Sequence, residues 1–157
     1  MDLKLREKPW WDYLEHDLQE LLTQSERLYN EVENWKQEFH DYSFIVFPAS
    51  KAYEGFLKKI FLEMGLISEA DYYGKRFRMG KALNPQVPGV YDKLRDYCDS
   101  EELPRHLWDT WTKSRNVLFH FFPDEKNAIS YQESGERIAM VVSAIDEMFT
   151  ACTIKKS

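Results

Sequence analysis

The sequence predicts an all-α fold, a helical bundle with long antiparallel helices, on three observations. Apolar residues recur at three- and four-residue steps over long stretches toward both ends of the chain, the period of a helix with one buried face. Between those stretches stand helix-stopping and helix-opening signals: Gly65, Ser68 ahead of Asp71, and Ser100 ahead of Pro104. No pair of alternating apolar and polar runs suggests a sheet, and repeats and low-complexity segments are absent.

The first helix is expected from Trp10 to about Phe39, on a stripe of Leu14, Leu18, Leu21, Leu22, Leu28, Val32, Trp35 and Phe39. Its polar face carries Asp12, Glu15, Asp17, Glu20, Glu26, Glu31, Glu33 and Glu38 against Arg27 and Lys36, so a phosphate backbone should avoid it. A second helix, from about Asp41 to Met64, is apolar enough through Phe44-Ile45-Val46-Phe47 to lie deep in the core. Gly65 should stop it, and Pro48 should bend it or mark its effective start. Ser68-Glu69-Ala70-Asp71 reads as a cap with first-turn acids, opening a short helix that carries Lys75, Arg76, Arg78 and Lys81. Leu83 to Gly89 is a turn-rich connector and Val90 to Tyr97 a further short helix. Ser100-Glu101-Glu102-Leu103-Pro104 opens the next helix, whose Leu107, Trp108, Trp111, Val117 and Leu118 lead toward His120. Phe121 to Asn127 reads as a loop, and Glu133 to about Ala151 closes the chain on Ile138, Val141, Val142, Ile145 and Met148 to Phe149.

A chain of 157 residues is read as one domain, 1–157, long enough to bury a core. Its 43% hydrophobic, 31% charged and 15% aromatic residues exclude a disordered chain, and the aromatic load suggests a sizeable buried interface. No apolar run approaches the roughly 18–20 residues of a membrane-spanning helix. The first eight residues are charged and lack the apolar core of a signal peptide, which points to the cytoplasm. Cys98 and Cys152 fit no C-x-x-C or Cys/His ligand spacing, so both read as buried free thiols, and neither metal nor cofactor is implied. A net charge of −6 argues against a general nucleic-acid coat protein, so any grip on RNA must be local. Lys75, Arg76, Arg78 and Lys81 are the best local phosphate patch, with Lys58 a further candidate RNA-binding cation.

Arg115-Asn116-Val117-Leu118-Phe119-His120 combines a phosphate-clamping cation, an amide and a titratable imidazole within six residues. Arg offers a planar fork of donors and keeps its charge, while the His proton moves near neutral pH. His120 suits the base that removes a 2′-OH proton, and Arg115 suits the cation that stabilises charge on the attacked phosphate. Asn116, four residues before His120, should share its helix face and orient the imidazole. Arg115 lies about 140° around an ideal helix from His120, so for both to act together Arg115 must reach with its long stem or the helix must loosen near Phe119. One His cannot easily serve both as base and as acid for the leaving group; a second copy across a two-fold axis would supply the other. The plainer reading of the same residues is a helix end, with His as C-cap and Arg as a surface ion-pair partner. Lys51, Glu54 and Lys58 share a helix face. Glu54 is thus either an exposed ion-pair partner of these lysines or, with Lys51, a support for Arg115 and His120. His16, His40 and His106 read as exposed or capping residues. Trp108 and Trp111 could stack a base but fit core or dimer packing better.

A helix ending in Arg115-Asn116-x-x-x-His120, followed by a loop and a long amphipathic closing helix, resembles the HEPN superfamily. Ser50 to Phe61 is similar to the second helix of many members, particularly the HEPN-like domain of RNase LS type toxins. The likeness runs over roughly Asp41 to Phe149. It implies a HEPN-like bundle that dimerises and a composite site in which Arg115 and His120 are the catalytic pair with Asn116 beside them. It also implies metal-independent endoribonuclease cleavage leaving a cyclic phosphate, and a role as a toxin or in phage defence, controlled by a separate antitoxin or regulator chain. The alternative implied by the same resemblance is an inactive HEPN module that binds a protein partner, an antitoxin or a nucleotidyltransferase.

Overall fold

The computed structural model describes residues 1–153, and side chains as far as Ala151. Regular structure among the described residues is helical throughout: α1 (His16–Val32), α2 (Ser43–Glu63), α3 (Glu69–Tyr73), α4 (Met79–Ala82), α5 (Val90–Cys98), α6 (Glu102–Trp111) and α7 (Tyr131–Thr153). None of these is long and apolar enough to cross a membrane.

The expected Trp10–Phe39 helix is cut at both ends. Trp10 and Leu14 are buried, yet they reach the core from a 3₁₀ turn, Trp11–Tyr13, and Leu14 and Glu15 are extended before α1 begins. The Trp10 indole N–H donates to Asp146 on α7 at 2.5 Å, and Lys8 pairs with the same carboxylate at 2.8 Å, which fastens this segment to the bundle. At the far end a 3₁₀ turn, Glu33–Trp35, runs into Lys36 with a left-handed φ of 52°. Trp35, Phe39, Tyr42 and Phe44 then pack against one another as rings. Three- to four-residue apolar spacing serves a chain of tight turns as well as a helix, which is why the stripe overran α1.

Pro48 does not mark the start of α2; it sits buried in the second turn with helix on both sides. Proline has no N–H to give, and the N–H of the next residue, Ala49, donates to Ser25 Oγ of α1 at 2.8 Å, with both residues fully buried. Gly65 stops α2 as expected. At φ 72° it allows Gly65 N–H to reach Leu62 O (3.0 Å) and Leu66 N–H to reach Phe61 O (2.8 Å), the paired closing bonds of a Schellman motif.

The long helices alternate in direction. Leu18 lies against Gly55 and Ser25 against Ala49, so α1 and α2 are antiparallel. Tyr29 stacks on Tyr131 at 4.4 Å while Tyr13 meets Phe149 at 5.4 Å, so α1 and α7 are antiparallel too. Tyr53 on α2 bonds Leu107 on α6, Ser50 bonds Ser114 further on, and His106 pairs with Glu147 on α7. Therefore α6 runs against both α2 and α7. The expected core stripe of α7, Ile138, Val141, Val142, Ile145 and Met148, is buried. Its start is set by a capping box: Glu133 N–H donates to Ser130 Oγ at 3.1 Å and Ser130 N–H to the Glu133 carboxylate at 2.7 Å.

Between α2 and α6 come the short helices α3, α4 and α5. Ser68 and Asp71 cap α3 reciprocally, but α3 ends at Tyr73. The basic run does not ride on it: Lys75, Arg76 and Arg78 follow in an irregular segment, and Lys81 sits on α4. Cys98, at the end of α5, is buried and disulfide-bonded, which overturns its reading as a free thiol; the side chain of Cys152 lies outside the described residues. Spacing along the chain carries no information about which distant sulfur a folded Cys meets.

Candidate active site

The motif is positioned by a break in its own helix. After Trp111 the chain passes into a π turn, Thr112–Asn116, in which Val117 N–H donates to Thr112 O five residues back at 3.0 Å. Ser50 and Ser114, both buried, account for the break. The Ser50 hydroxyl of α2 donates to the Ser114 carbonyl, taking an acceptor from the helical ladder, and Ser114 Oγ donates back to Thr110 O at 2.5 Å. One turn earlier Tyr53 donates its hydroxyl to Leu107 O at 3.0 Å; burial, and then the Glu147 charge, holds its pKa well above the ordinary value, so it stays a donor. Such π turns are one-residue insertions into a helix and shift every later side chain around the axis. The helix therefore loosens at Thr112–Asn116 and again in the turns from Val117 to Phe119, where loosening is expected.

Glu54, one turn beyond Ser50 on α2, reaches the π turn and forms an ion pair with Arg115. Glu54 is thus paired with Arg115, and among the described residues it forms no ion pair with Lys51 or Lys58. The Arg115 guanidinium also lies over the Trp111 ring, 4.8 Å from its centroid. Arg115 is thus held between a carboxylate and an indole while its side chain stays 34% exposed. Trp111 is in turn pressed by Gly80 of α4, where an added Cβ would stand 2.8 Å from the indole nitrogen. Only glycine allows α4, with Lys81 on it and Arg78 just before it, to approach the motif helix so closely.

Arg115, Asn116, His120 and Glu54 line one cleft of about 670 Å³ together with Arg78, Lys81, Phe47, Trp108 and Phe119. That volume lies within the roughly 300–1,000 Å³ typical of ligand sites. Lys75 and Arg76 line an adjoining hollow of about 640 Å³ that shares Phe77, Arg78 and Lys81 with the cleft. Lys51 and Lys58 do not enter the cleft. They line a hollow on the other side of Glu54 with Asp17 and Glu20 of α1, and Lys58 sits 5.7 Å from the Phe77 ring centroid.

The expected orientation of His120 by Asn116 is absent: both side chains are exposed, and among the described residues no hydrogen bond joins them. The helix gives way to turns after Asn116, so the face that a regular helix would give Asn116 and His120 does not form. The chain at His120 is held instead through its backbone, since the Asn127 amide donates to the carbonyls of both Val117 and His120 at 2.5 Å. The imidazole lies 6.0 Å, centroid to centroid, from the Phe122 ring.

Two features escaped the sequence. His106 is not a solitary exposed residue but pairs with Glu147 across α6 and α7; nothing in the spacing of two distant helices marks that meeting. Phe47 is 53% exposed and lines the cleft, although its apolar run reads as deep core. Here a signal exists, because Phe44, Phe47, Lys51, Glu54 and Lys58 repeat at three and four residues on one face of α2. Extending the Lys51-Glu54-Lys58 face by one turn would have reached Phe47. Among the described residues no three or more His, Cys, Asp or Glu side chains gather as a metal site. Compared with known proteins, the chain matches no family model, no curated protein and no solved structure.

Proposed function

We propose that the chain is a metal-independent endoribonuclease of HEPN type, acting as a homodimer in toxin or phage-defence systems under a separate antitoxin or regulator chain. The observation that carries this reading is the meeting of Arg115 and His120 in one cleft with the cations Arg78 and Lys81. In the proposed reaction His120 takes the proton of a 2′-OH, the freed oxygen attacks the adjacent phosphorus, and Arg115 stabilises the phosphoryl oxygens. The 5′-oxygen leaves with a proton and a 2′,3′-cyclic phosphate remains. A second copy supplies the acid. The exposed Phe121 and Phe122 beside His120, 87% and 36% accessible, favour an apolar contact at that edge. Lys75 and Arg76, in the adjoining hollow, extend the cationic track away from the cleft.

A second reading is favoured by the Glu54–Arg115 pair, which neutralises the cation a phosphate needs. In that reading the chain is an inactive HEPN-like module that binds an antitoxin or a nucleotidyltransferase, and the net charge of −6 suits a basic partner. A cytoplasmic location is part of both readings; the disulfide at Cys98 weighs against it, since such bonds are rare in reducing compartments.

Mixed RNA incubated in excess chelator with the parent protein and with His120→Ala decides between the two. Cleavage by the parent alone, leaving cyclic phosphates, is the expected result. No cleavage by a folded, dimeric parent would overturn the nuclease reading in favour of the binding module.

A further inference from the structure

The cleft carries an aromatic wall for which phosphate chemistry has no use. Phe47 meets Phe119 edge to face, with centroids 5.2 Å apart and planes at 70°, and both rings line the cleft. The 53% exposure of Phe47 leaves ring surface open to solvent, and apolar area held in water is a standing cost that a ligand can relieve. Phe119 lies four residues after Arg115 and directly before His120, so this wall is tied to the reacting groups by covalent connection. Of the motif-helix tryptophans, Trp111 is less available, since its face is taken by Arg115 and the residue is 6% exposed, while the half-buried Trp108 also lines the cleft. Arg78 and Lys81 supply cations on the same cleft.

A cationic groove combined with an open aromatic face is the pairing that binds single-stranded nucleic acid, where each unstacked base has a π-face to offer. Double-stranded RNA keeps those faces stacked against neighbouring bases, and its major groove is closed to side chains. We propose that Phe47, backed by Phe119, is a base-stacking subsite that holds an unpaired nucleobase beside the phosphate engaged by Arg115. The subsite confines the substrate to single strands and loops. It rests on the nuclease reading above and adds the substrate class to it. Stacking tolerates any base, so the subsite selects strandedness and not sequence.

The test uses short 2′-O-methyl RNA carrying one 2-aminopurine, whose fluorescence falls on stacking, and which cannot form a cyclic phosphate. It is titrated as single strand and as blunt duplex with the parent, Phe47→Ala and Phe47→Trp, in chelator and at one salt concentration. The expected result is quenching of the single strand alone, binding weakened about tenfold or more in Phe47→Ala, and recovery in Phe47→Trp. Equal binding of strand and duplex, or quenching that survives Phe47→Ala, would overturn the subsite. Sedimentation of the same variants guards against an interface role: dissociation of a parent dimer by Phe47→Ala would also overturn it. Competition by adenosine monophosphate as strong as that by the strand would reassign the site to a free nucleotide. Cleavage of unmodified RNA is measured in parallel. Phe47-dependent quenching without cleavage would sink the catalytic reading and leave the subsite standing, whereas cleavage without it would sink the subsite alone.

Discussion

Gly80→Ala tests how α4, which carries Lys81, is seated against the motif. A Cβ at position 80 would stand 2.8 Å from Trp111 Nε1, 3.5 Å from Cε2 and 3.7 Å from Cδ1, against an optimal separation of about 3.5–4.0 Å. The indole has little freedom to withdraw, because it is 6% exposed and carries Arg115 on its face. Either α4 backs away and widens the cleft, or the ring tilts and takes Arg115 away from Glu54. Helix propensity alone would favour alanine by up to about 1 kcal/mol, while overpacking costs about 1–3 kcal/mol. The net expectation is a loss of about 1 kcal/mol, or a fall in Tm of about 2–4 °C for a chain of this size. On the proposed nuclease reading, RNA cleavage, assayed well below that Tm, should fall about tenfold or more, since small displacements of a positioned group cost far more in rate than in stability. Circular dichroism melts, tryptophan emission and cleavage rates measure the three effects. A rise in Tm with unchanged Trp111 emission would refute the packing argument, because propensity would then have acted without a clash.

Two further predictions concern the scaffold. Ser25→Ala should cost about 1–3 kcal/mol in urea unfolding, because it strands the buried Ala49 N–H behind Pro48; a variant as stable as the parent would show that the bond is dispensable. The Glu133 carboxyl is held below its ordinary pKa by the backbone N–H of Ser130, then by its hydroxyl. A folded-state value below the unfolded one means that the capping box stabilises above the ordinary carboxylate range and loses that contribution as pH falls through the folded value. Ser130→Ala should therefore move the Glu133 midpoint, followed by carbon-detected NMR, upward toward the ordinary value, and an unmoved midpoint would remove the hydroxyl from the account.

Local sequence carried the fold a long way where interactions span a turn or two. The stop at Gly65, the capping box of Ser68 with Asp71 and the buried stripe of α7 depend on neighbours along the chain and can be read before folding. The same locality misled at the first helix, where 3₁₀ turns and a left-handed Lys36 satisfy the spacing that suggested an unbroken Trp10–Phe39 helix. It misled again at Asn116, whose shared face with His120 presumes a regular helix, whereas the chain turns from Val117 onward.

Glu54 shows the division most clearly. By spacing alone Lys51 and Lys58 are its natural partners, since both lie within one turn of it. Folding instead delivers Arg115 from 61 residues away, and an exposed helix pair worth a few tenths of a kcal/mol gives way to a charge-assisted bond on the order of 1.5–3 kcal/mol. Helical class, caps and the α7 core face were determined by sequence, because each is set by side chains within about four residues of one another. The π turn, the Gly80–Trp111 contact, the exposed Phe47 and the bonded Cys98 were decided by tertiary structure. Each depends on which remote helix face arrives opposite, and that is settled by packing the whole core at once.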